Sequence, residues 1–126
     1  MEKKFACVIN CMDGRIQEAV IEYMKNKYQT MYIDNITLAG PSKVIAENIM
    51  DDIIDNVKFR VDISVSNHGA KVIAVVGHFD CAGIPSTDEQ QKQYVLQATK
   101  EVKTWKDGIE VIPLWVDKEL KVTLIK

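Results

Sequence analysis

The segment KVIAVVGHFDCAG, residues 71–83, decides the fold of this chain. Five apolar residues in a row precede Gly77, with no polar residue alternating between them. Such a run is typical of a β-strand buried on both faces, as the strands of parallel sheets are. The run ends in His78, and Cys81 and Gly83 follow closely. The segment therefore predicts a buried strand that carries a histidine and a cysteine at its carboxyl end, where the glycines let the backbone turn sharply.

A second segment of the same kind lies near the start of the chain. The apolar run FACVIN, residues 5–10, predicts a short buried strand. Cys11, Asp13 and Arg15 follow this strand directly, within the sequence CMDGR. Side chains that can bind a metal or carry a charge thus follow the ends of two predicted strands.

The segments between and after these two strands alternate between helical and strand patterns. Residues 15–27 repeat apolar side chains with a period of about 3.6 residues, which predicts an amphipathic helix. A second strand is expected around residues 31–33, and a helix is expected to follow, with Ser42 as its N-cap. Residues 59–65 are expected to form a second segment after that helix. The helix itself is predicted to direct the following side chains toward a core: Val44, Ile45, Ile49, Ile53, Ile54 and Val57.

The last third of the chain continues the alternation. A helix is predicted to begin at Thr87 or Asp88 and to run to about Trp105, and residues 109–117 and 121–126 are predicted to form two closing strands. Strands that alternate with helices indicate an α/β fold with a mostly parallel sheet and helices on both faces. The length of 126 residues is that of one domain, residues 1–126.

This fold class predicts where a ligand binds. In open α/β sheets, ligands bind beyond the carboxyl ends of the strands, at the point where the strand order reverses. We expect the first and third predicted strands to be neighbours across such a point, so that the loops after them open into one crevice. This arrangement would bring together Cys11, Asp13, Arg15, His78 and Cys81.

These side chains have the chemistry of a metal site. His78 and Cys81 are close enough in sequence to bind one ion, and Cys11 could supply a third ligand from the neighbouring strand. Two thiolates and an imidazole suit Zn²⁺, and three protein ligands leave a fourth position for water, as in catalytic zinc sites. Zinc would lower the pKa of that water toward neutrality. Arg15 could hold the Asp13 carboxylate as a bidentate pair, and Asp13 would then accept a hydrogen bond from the zinc-bound hydroxide.

Each of these residues also has a simpler explanation when taken alone. Cys11 could be a buried thiol, since cysteine is among the most buried residue types. His78 could be a loop histidine that ends a strand. Asp13 and Arg15 could be charges at the start of a helix, where a carboxylate is favourable. Their occurrence together is what favours metal binding.

The remaining candidates are interpreted as structural. Cys7 lies four strand residues from Cys11, roughly 13 Å away at ~3.3 Å per residue, so it is assigned to the core. His68 is interpreted as a surface loop residue, and Asp80 as a solvated residue or a cap of its loop. Packing roles are expected for Trp105 and Trp115.

Composition excludes several classes of function. The net charge is −2, and no basic patch or tail is visible, which argues against a nucleic-acid or anionic-membrane partner. No apolar run approaches the ~20 residues of a membrane helix, and the N-terminal sequence lacks the features of a signal peptide. We therefore expect a cytoplasmic protein with reduced thiols. Three cysteines are more consistent with buried thiols, nucleophiles or metal ligands than with a disulfide framework.

The two motifs together resemble those of the β-class carbonic anhydrases. Cys-x-Asp-x-Arg, residues 11–15, is followed by His-x-x-Cys, residues 78–81, and LWVDKELKV near the C-terminus is similar to the last strand pair of that family. The resemblance runs from Val8 to about Val122. It implies a four-stranded parallel sheet with an added edge strand. It also implies assembly into homodimers or larger homo-oligomers.

The resemblance also implies a site and a reaction. Zn²⁺ would be bound by Cys11, His78 and Cys81, and Asp13 and Arg15 would form a catalytic dyad. In the family, the aspartate can instead become a fourth zinc ligand and close the site. The implied reaction is the reversible hydration of CO₂ to bicarbonate by zinc-bound hydroxide.

Departures from the family pattern leave the substrate open. Gly14 and Ala82 replace residues that are usually Ser and Gly, and the loop after the second strand is reduced to residues 38–40. Phe79 and Ile84 flank the ligands and are the candidates for the wall of an apolar substrate pocket. Two alternatives remain: hydrolysis of a CO₂-like molecule such as carbon disulfide or carbonyl sulfide, and a zinc-binding regulatory module without catalysis.

Overall fold

A computed structural model describes residues 4–126 of the chain. The strands are β1 (Phe5–Cys11), β2 (Tyr32–Leu38), β3 (Val72–His78), β4 (Glu110–Val116) and β5 (Val122–Leu124). The helices are α1 (Gln17–Tyr28), α2 (Pro41–Ala46), α3 (Asp51–Asp62) and α4 (Asp88–Lys103), and α3 continues into a π-helical turn, Ile63–Asn67. The predicted alternation of strands and helices is confirmed.

The strands form one sheet in the order β2-β1-β3-β4-β5. The first four strands are parallel, and β5 pairs with β4 in the antiparallel direction. β1 therefore has β2 on one side and β3 on the other, so the strand order reverses between β1 and β3. The predicted four-stranded parallel sheet with an added edge strand is confirmed, and the switch point lies where it was expected.

The sheet has a hydrophobic core on each face, because side chains alternate along the strands. On one face, Val8, Ala74 and Leu114 pack with the α1 side chains Val20 and Met24. The other face packs against α3 and α4 and includes Cys7, Ile9, Ile73, Val75, Val57, Val61, Val95 and Val102. Every residue of β3 is buried, in agreement with the uninterrupted apolar run from which the strand was predicted.

Helix α4 begins and ends close to the predicted positions. The Thr87 hydroxyl accepts a hydrogen bond from the backbone N–H of Gln90 at 3.1 Å, which is the N-cap geometry expected of this residue type. The acidic residues Asp88 and Glu89 occupy the first turn, where carboxylates interact favourably with the helix dipole.

The prediction for the segment after β2 was wrong in two respects. Ser42 is not an N-cap: Gly40 occupies that position with a φ of 58°, Pro41 begins the helix, and Ser42 is buried inside it. The helix is also not continuous, because Asn48 and Met50 both have positive φ and separate α2 from α3. As a result Ile49 and Ile53, which were expected in the core, are each 40% exposed.

Two further boundaries differ from the sequence prediction. β2 extends from Tyr32 to Leu38, well beyond the predicted 31–33, because β1 pairs with it along its whole length. Residues 59–65 belong to the end of α3 and the π-helical turn that follows it. Within the described residues, no helix is both long enough and apolar enough to cross a membrane.

Candidate metal centre

Three of the predicted residues converge at the switch point between β1 and β3. Cys11 is the last residue of β1, His78 is the last residue of β3, and Cys81 lies in the turn after β3. The Sγ atoms of Cys11 and Cys81 are 3.8 Å apart. One ligand atom from each of the three side chains lies within 4.8 Å of the other two. We refer to these three residues as the Cys–His–Cys cluster.

The donor atoms of the cluster fit a thiophilic metal ion. All three residues are buried, and neither ring nitrogen of His78 has a hydrogen-bond partner among residues 4–126. A buried imidazole that lacks any partner is unusual, because buried polar atoms are normally satisfied. Binding to a metal would satisfy one of these nitrogens, and two thiolates with one imidazole form a typical donor set for Zn²⁺.

The two thiols of the cluster also influence each other's ionisation. The pKa of Cys11 is lowered, chiefly because its thiolate accepts a hydrogen bond from the Cys81 thiol. The pKa of Cys81 is raised, because it donates that hydrogen bond and is itself removed from water. Without a metal, the pair therefore favours a single negative charge shared between two sulfur atoms, which is a suitable starting state for cation binding.

A buried glutamine fixes the backbone of His78. The side chain of Gln91, on α4, accepts a hydrogen bond from His78 N–H at 2.9 Å and donates one to His78 C=O at 2.7 Å. Gln91 is only 2% exposed. Gly77 allows this approach, since a Cβ atom at that position would lie 3.2 Å from Gln91 Oε1 and collide with Val95.

A second glutamine fixes the loop that carries Cys11. Gln17 Nε2 donates to the backbone carbonyl oxygens of Cys11 and Asp13, both at 2.7 Å. Its Oε1 in turn accepts from Asn35 Nδ2 at 2.7 Å and from Asn10 Nδ2 at 3.3 Å. The first residue of α1 therefore ties the loop to strands β1 and β2.

Close contact between two glycines supports the loops from the other side. A Cβ atom on Gly40 would lie 2.7 Å from Ile84 Cγ1, and one on Gly83 would lie 2.9 Å from Gly40 N. The loop after β2 and the turn after β3 can therefore pack this tightly only because both positions are glycine.

Asp13 and Arg15 form the bidentate pair expected from their spacing. Arg15 Nη2 donates to Asp13 Oδ2 at 2.6 Å, and Arg15 Nε donates to Asp13 Oδ1 at 3.0 Å. The backbone N–H of Arg15 donates to the same Oδ1 at 2.9 Å. These contacts with Arg15 lower the pKa of Asp13 to about 2, so the carboxylate is ionised at neutral pH. The Asp13 carboxylate is not among the atoms that form the Cys–His–Cys cluster.

Asp80 contacts this pair, which the sequence analysis did not anticipate. Its side chain is 80% exposed, as predicted, but Oδ2 accepts from Arg15 Nη1 at 3.4 Å. The Asp80 carbonyl oxygen accepts from Arg15 Nη2 at 3.2 Å, and the guanidinium carbon lies 4.7 Å above the centroid of the Phe79 ring.

Phe79 and Ile84, which were predicted to line a substrate pocket, lie in two different environments. Phe79 is half-buried beneath Arg15, and Ile84 is buried in the core against Gly40. A mostly apolar cavity of about 330 Å³ adjoins the two glycine contacts, and neither Phe79 nor Ile84 lines it. The pocket assignment stays a prediction.

The structural interpretations of the other candidates agree with the structure. Cys7 is fully buried in the core, and burial raises the pKa of its thiol to about 12. His68 lies on the surface near the opposite ends of the strands, stacks on Phe5 at 4.3 Å, and has Nδ1 2.7 Å from an Asp34 carboxylate oxygen. Trp115 is buried, and Trp105 packs at the edge of the core.

The buried role of Gln91 could have been predicted from its position in the sequence, but the sequence analysis did not include it. It lies on the same helical face as Val95, Ala98 and Val102, which are all buried. A lone amide at a core-facing position of an amphipathic helix indicates a buried polar contact, because an unsatisfied buried amide is costly. The contact of Asp80 with Arg15 had no such signal, since it depends on the local backbone conformation.

The fold and the cluster define a class: a parallel α/β protein with a candidate metal centre where two neighbouring strands end. A family model described as "Putative carbonic anhydrase" matches residues 1–126, and the chain belongs to this carbonic anhydrase family. No curated protein matches the chain by sequence.

Solved structures share the fold at low sequence identity. A β-carbonic anhydrase isoform I from Trichomonas vaginalis is 15% identical, with a TM-score of 0.61 over 98% of this chain and 82% of that one. A carbonic anhydrase from Streptococcus mutans is 19% identical, with a TM-score of 0.59 over 99% of this chain and 82% of that one. A match described as two tetrameric β-carbonic anhydrases from Sordaria macrospora is 13% identical, with a TM-score of 0.62 over 99% of this chain and 81% of that one.

Proposed function

We propose that this protein catalyses the reversible hydration of CO₂ to bicarbonate, with Zn²⁺ held by Cys11, His78 and Cys81. The observation that supports this most directly is the cluster itself. Two thiols converge with an imidazole that has no other hydrogen-bond partner among residues 4–126, at the switch point of a carbonic anhydrase fold, and an ionised Asp13–Arg15 pair follows immediately in the chain.

The residues around the cluster would divide the chemistry among them. Zinc, when bound there, would supply a Lewis acid that brings the pKa of a coordinated water toward neutrality. Asp13 is ionised and can only accept hydrogen bonds. It would therefore orient the attacking oxygen by accepting a hydrogen bond from the proton that this oxygen carries. Arg15 holds both carboxylate oxygens of Asp13 and would keep Asp13 from binding the metal itself.

Proton release would depend on solvent. The chain has two histidines, of which His78 belongs to the cluster. His68 precedes β3, whose seven residues separate it from the cluster by roughly 20 Å at ~3.3 Å per residue. Neither can act as a local proton shuttle, so the rate at low buffer concentration should rise with the concentration of added buffer.

The test is CO₂ hydration measured by stopped flow between about pH 6.5 and 9, on protein whose zinc content is determined in the same preparation. We expect about one zinc per chain and a rate that rises with pH. His78→Ala and Cys81→Ala should lose zinc and activity together. Asp13→Asn should retain zinc and lower the rate by roughly 100-fold. One zinc per chain without hydration at any pH would contradict the proposal.

The same preparation separates the alternatives. Parallel assays with carbon disulfide and carbonyl sulfide would identify a hydrolase that uses the same metal ligands. A regulatory module without catalysis would require Asp13 on the metal at every pH. Its engagement by Arg15 does not favour that arrangement.

We also propose that the chain forms homodimers or larger homo-oligomers. Ile49, Met50 and Ile53 are exposed together around the apolar cavity that Gly40 and Gly83 also line. Exposed apolar surface of this kind commonly marks an interface. Analytical ultracentrifugation over a range of concentrations would test it, and a monomer at every concentration would contradict it.

A further inference from the structure

The strongest unassigned feature is the arrangement around the guanidinium of Arg15. Its Nε and Nη2 atoms donate to Asp13, while Nη1 and Nη2 also contact the carboxylate and the carbonyl oxygen of Asp80. Its face lies over the Phe79 ring. Arg15 is thus held on three sides, and two of those sides belong to the turn between His78 and Cys81.

The backbone of Asp80 has an unusual conformation in this turn. Its φ is 48°, in the left-handed region that non-glycine residues rarely occupy. Asp and Asn tolerate this region better than other residues with a Cβ atom. Strained residues of this kind cluster at functional sites, where surrounding contacts maintain them. Here the carboxylate and the carbonyl oxygen of the strained residue both accept from the same guanidinium.

From this geometry we infer that Asp80 is a positioning residue, which couples the Asp13–Arg15 pair to the turn that carries His78 and Cys81. Phe79 and Asp80 hold Arg15, and Arg15 holds Asp13. The orientation of the Asp13 carboxylate is therefore set from the metal-binding turn as well as from its own loop. The catalytic consequence rests on the proposed function, but the mechanical coupling does not.

The composition of the chain makes this coupling measurable without an activity assay. Arg15 and Arg60 are its only arginines, so a sample labelled with ¹⁵N-arginine gives two side-chain Nε–H signals. Arg60 Nε donates to Asn56 Oδ1 at 3.0 Å, remote from the turn, and serves as an internal reference. Arg60→Lys assigns the two signals.

The test compares hydrogen exchange at these two groups in wild type, Asp80→Asn and Asp107→Asn. Asn keeps the size of Asp80 and its tolerance of the left-handed region, and it removes the charge and one of the two acceptor oxygens. Asp107→Asn makes the same charge change in an exposed loop. We expect exchange at Arg15 Nε–H to accelerate roughly two- to five-fold in Asp80→Asn, as for loss of an exposed ion pair. Arg60 should not change, and Asp107→Asn should alter neither signal.

Two results of the exchange experiment would contradict the inference. Unchanged exchange at Arg15 in Asp80→Asn would overturn it, as would equal acceleration at Arg15 and Arg60, which would indicate global destabilisation. In a zinc-loaded enzyme, kcat should fall several-fold in Asp80→Asn with little change in KM, and the effect should disappear in an Arg15→Lys background. If wild type does not hydrate CO₂ but exchange at Arg15 still accelerates, the proposed function fails and the positioning role of Asp80 stands.

Discussion

Replacement of Gln91 by methionine tests how the backbone of His78, a proposed metal ligand, is held in place. Methionine has a similar volume, so the change removes the two hydrogen bonds to His78, at 2.9 and 2.7 Å, without leaving a large cavity. An unsatisfied buried backbone group costs about 1–3 kcal/mol, so loss of the two partners should lower the free energy of unfolding by about 2–4 kcal/mol. At roughly 3–5 °C per kcal/mol for a chain of this length, the melting temperature should fall by about 6–20 °C.

The assay is urea denaturation of metal-free, reduced protein, with Gln93→Met as the matched control. Gln93 is exposed on the same helix, so its replacement makes the same chemical change in solvent. A second measurement is zinc affinity, which should fall about 10- to 100-fold in Gln91→Met, as for other residues that support metal ligands. A stability within about 0.5 kcal/mol of the control would refute the reasoning. Normal zinc affinity in a destabilised Gln91→Met variant would refute only the role of Gln91 in positioning His78 for metal binding, and not its contribution to stability.

Three further predictions concern other parts of the molecule. Gly40→Ala should lower the free energy of unfolding, measured by urea denaturation, by about 1–2 kcal/mol or more, because Gly40 has a φ of 58°. Gly14→Ser should change it by less than about 0.5 kcal/mol, because a Cβ atom added there meets nothing within 4 Å. In metal-free protein at neutral pH, iodoacetamide should alkylate a thiol of the Cys–His–Cys cluster before Cys7, because burial raises the pKa of Cys7 to about 12. Added zinc should protect the cluster from alkylation. Peptide mass spectrometry would measure the order, and alkylation of Cys7 first would contradict the prediction. Lys106→Met should raise the pKa of Asp62, because the ion pair with Lys106 lowers it. The variant should therefore be less stable than wild type at neutral pH, and the difference should vanish as the pH falls below about 3.8 and Asp62 becomes protonated. Equal urea midpoints of variant and wild type at pH 7 would contradict this prediction.

The parts of the fold that could be predicted from the sequence are those fixed by burial on both faces. The apolar run of β3 is typical of a strand that helices cover on both sides, and all seven residues of that strand are buried. The segment after β2 was mispredicted because its apolar pattern suits one long helix. The left-handed residues Asn48 and Met50 interrupt it, although neither is a glycine or a proline. No local pattern indicated that break.

The candidate site divides in the same way. The convergence of Cys11, His78 and Cys81 follows from strand order, and the sequence pattern predicted it. The supporting contacts of Gln17 and Gln91 depend on how α1 and α4 pack onto the sheet, which residue spacing does not determine.

Strand order also constrains when the candidate metal centre can form during synthesis of the chain. After β2, each new strand joins the edge left by earlier ones: β3 joins β1, β4 joins β3, and β5 joins β4. The two cysteines of the cluster are 70 residues apart, so the centre cannot close until β3 has docked. Until then β1 presents an unpaired edge that invites association with other chains. Zinc binding at the proposed centre is therefore expected only after β3 has docked, and a ribosome-bound chain that has not yet exposed Cys81 should not retain zinc at this centre.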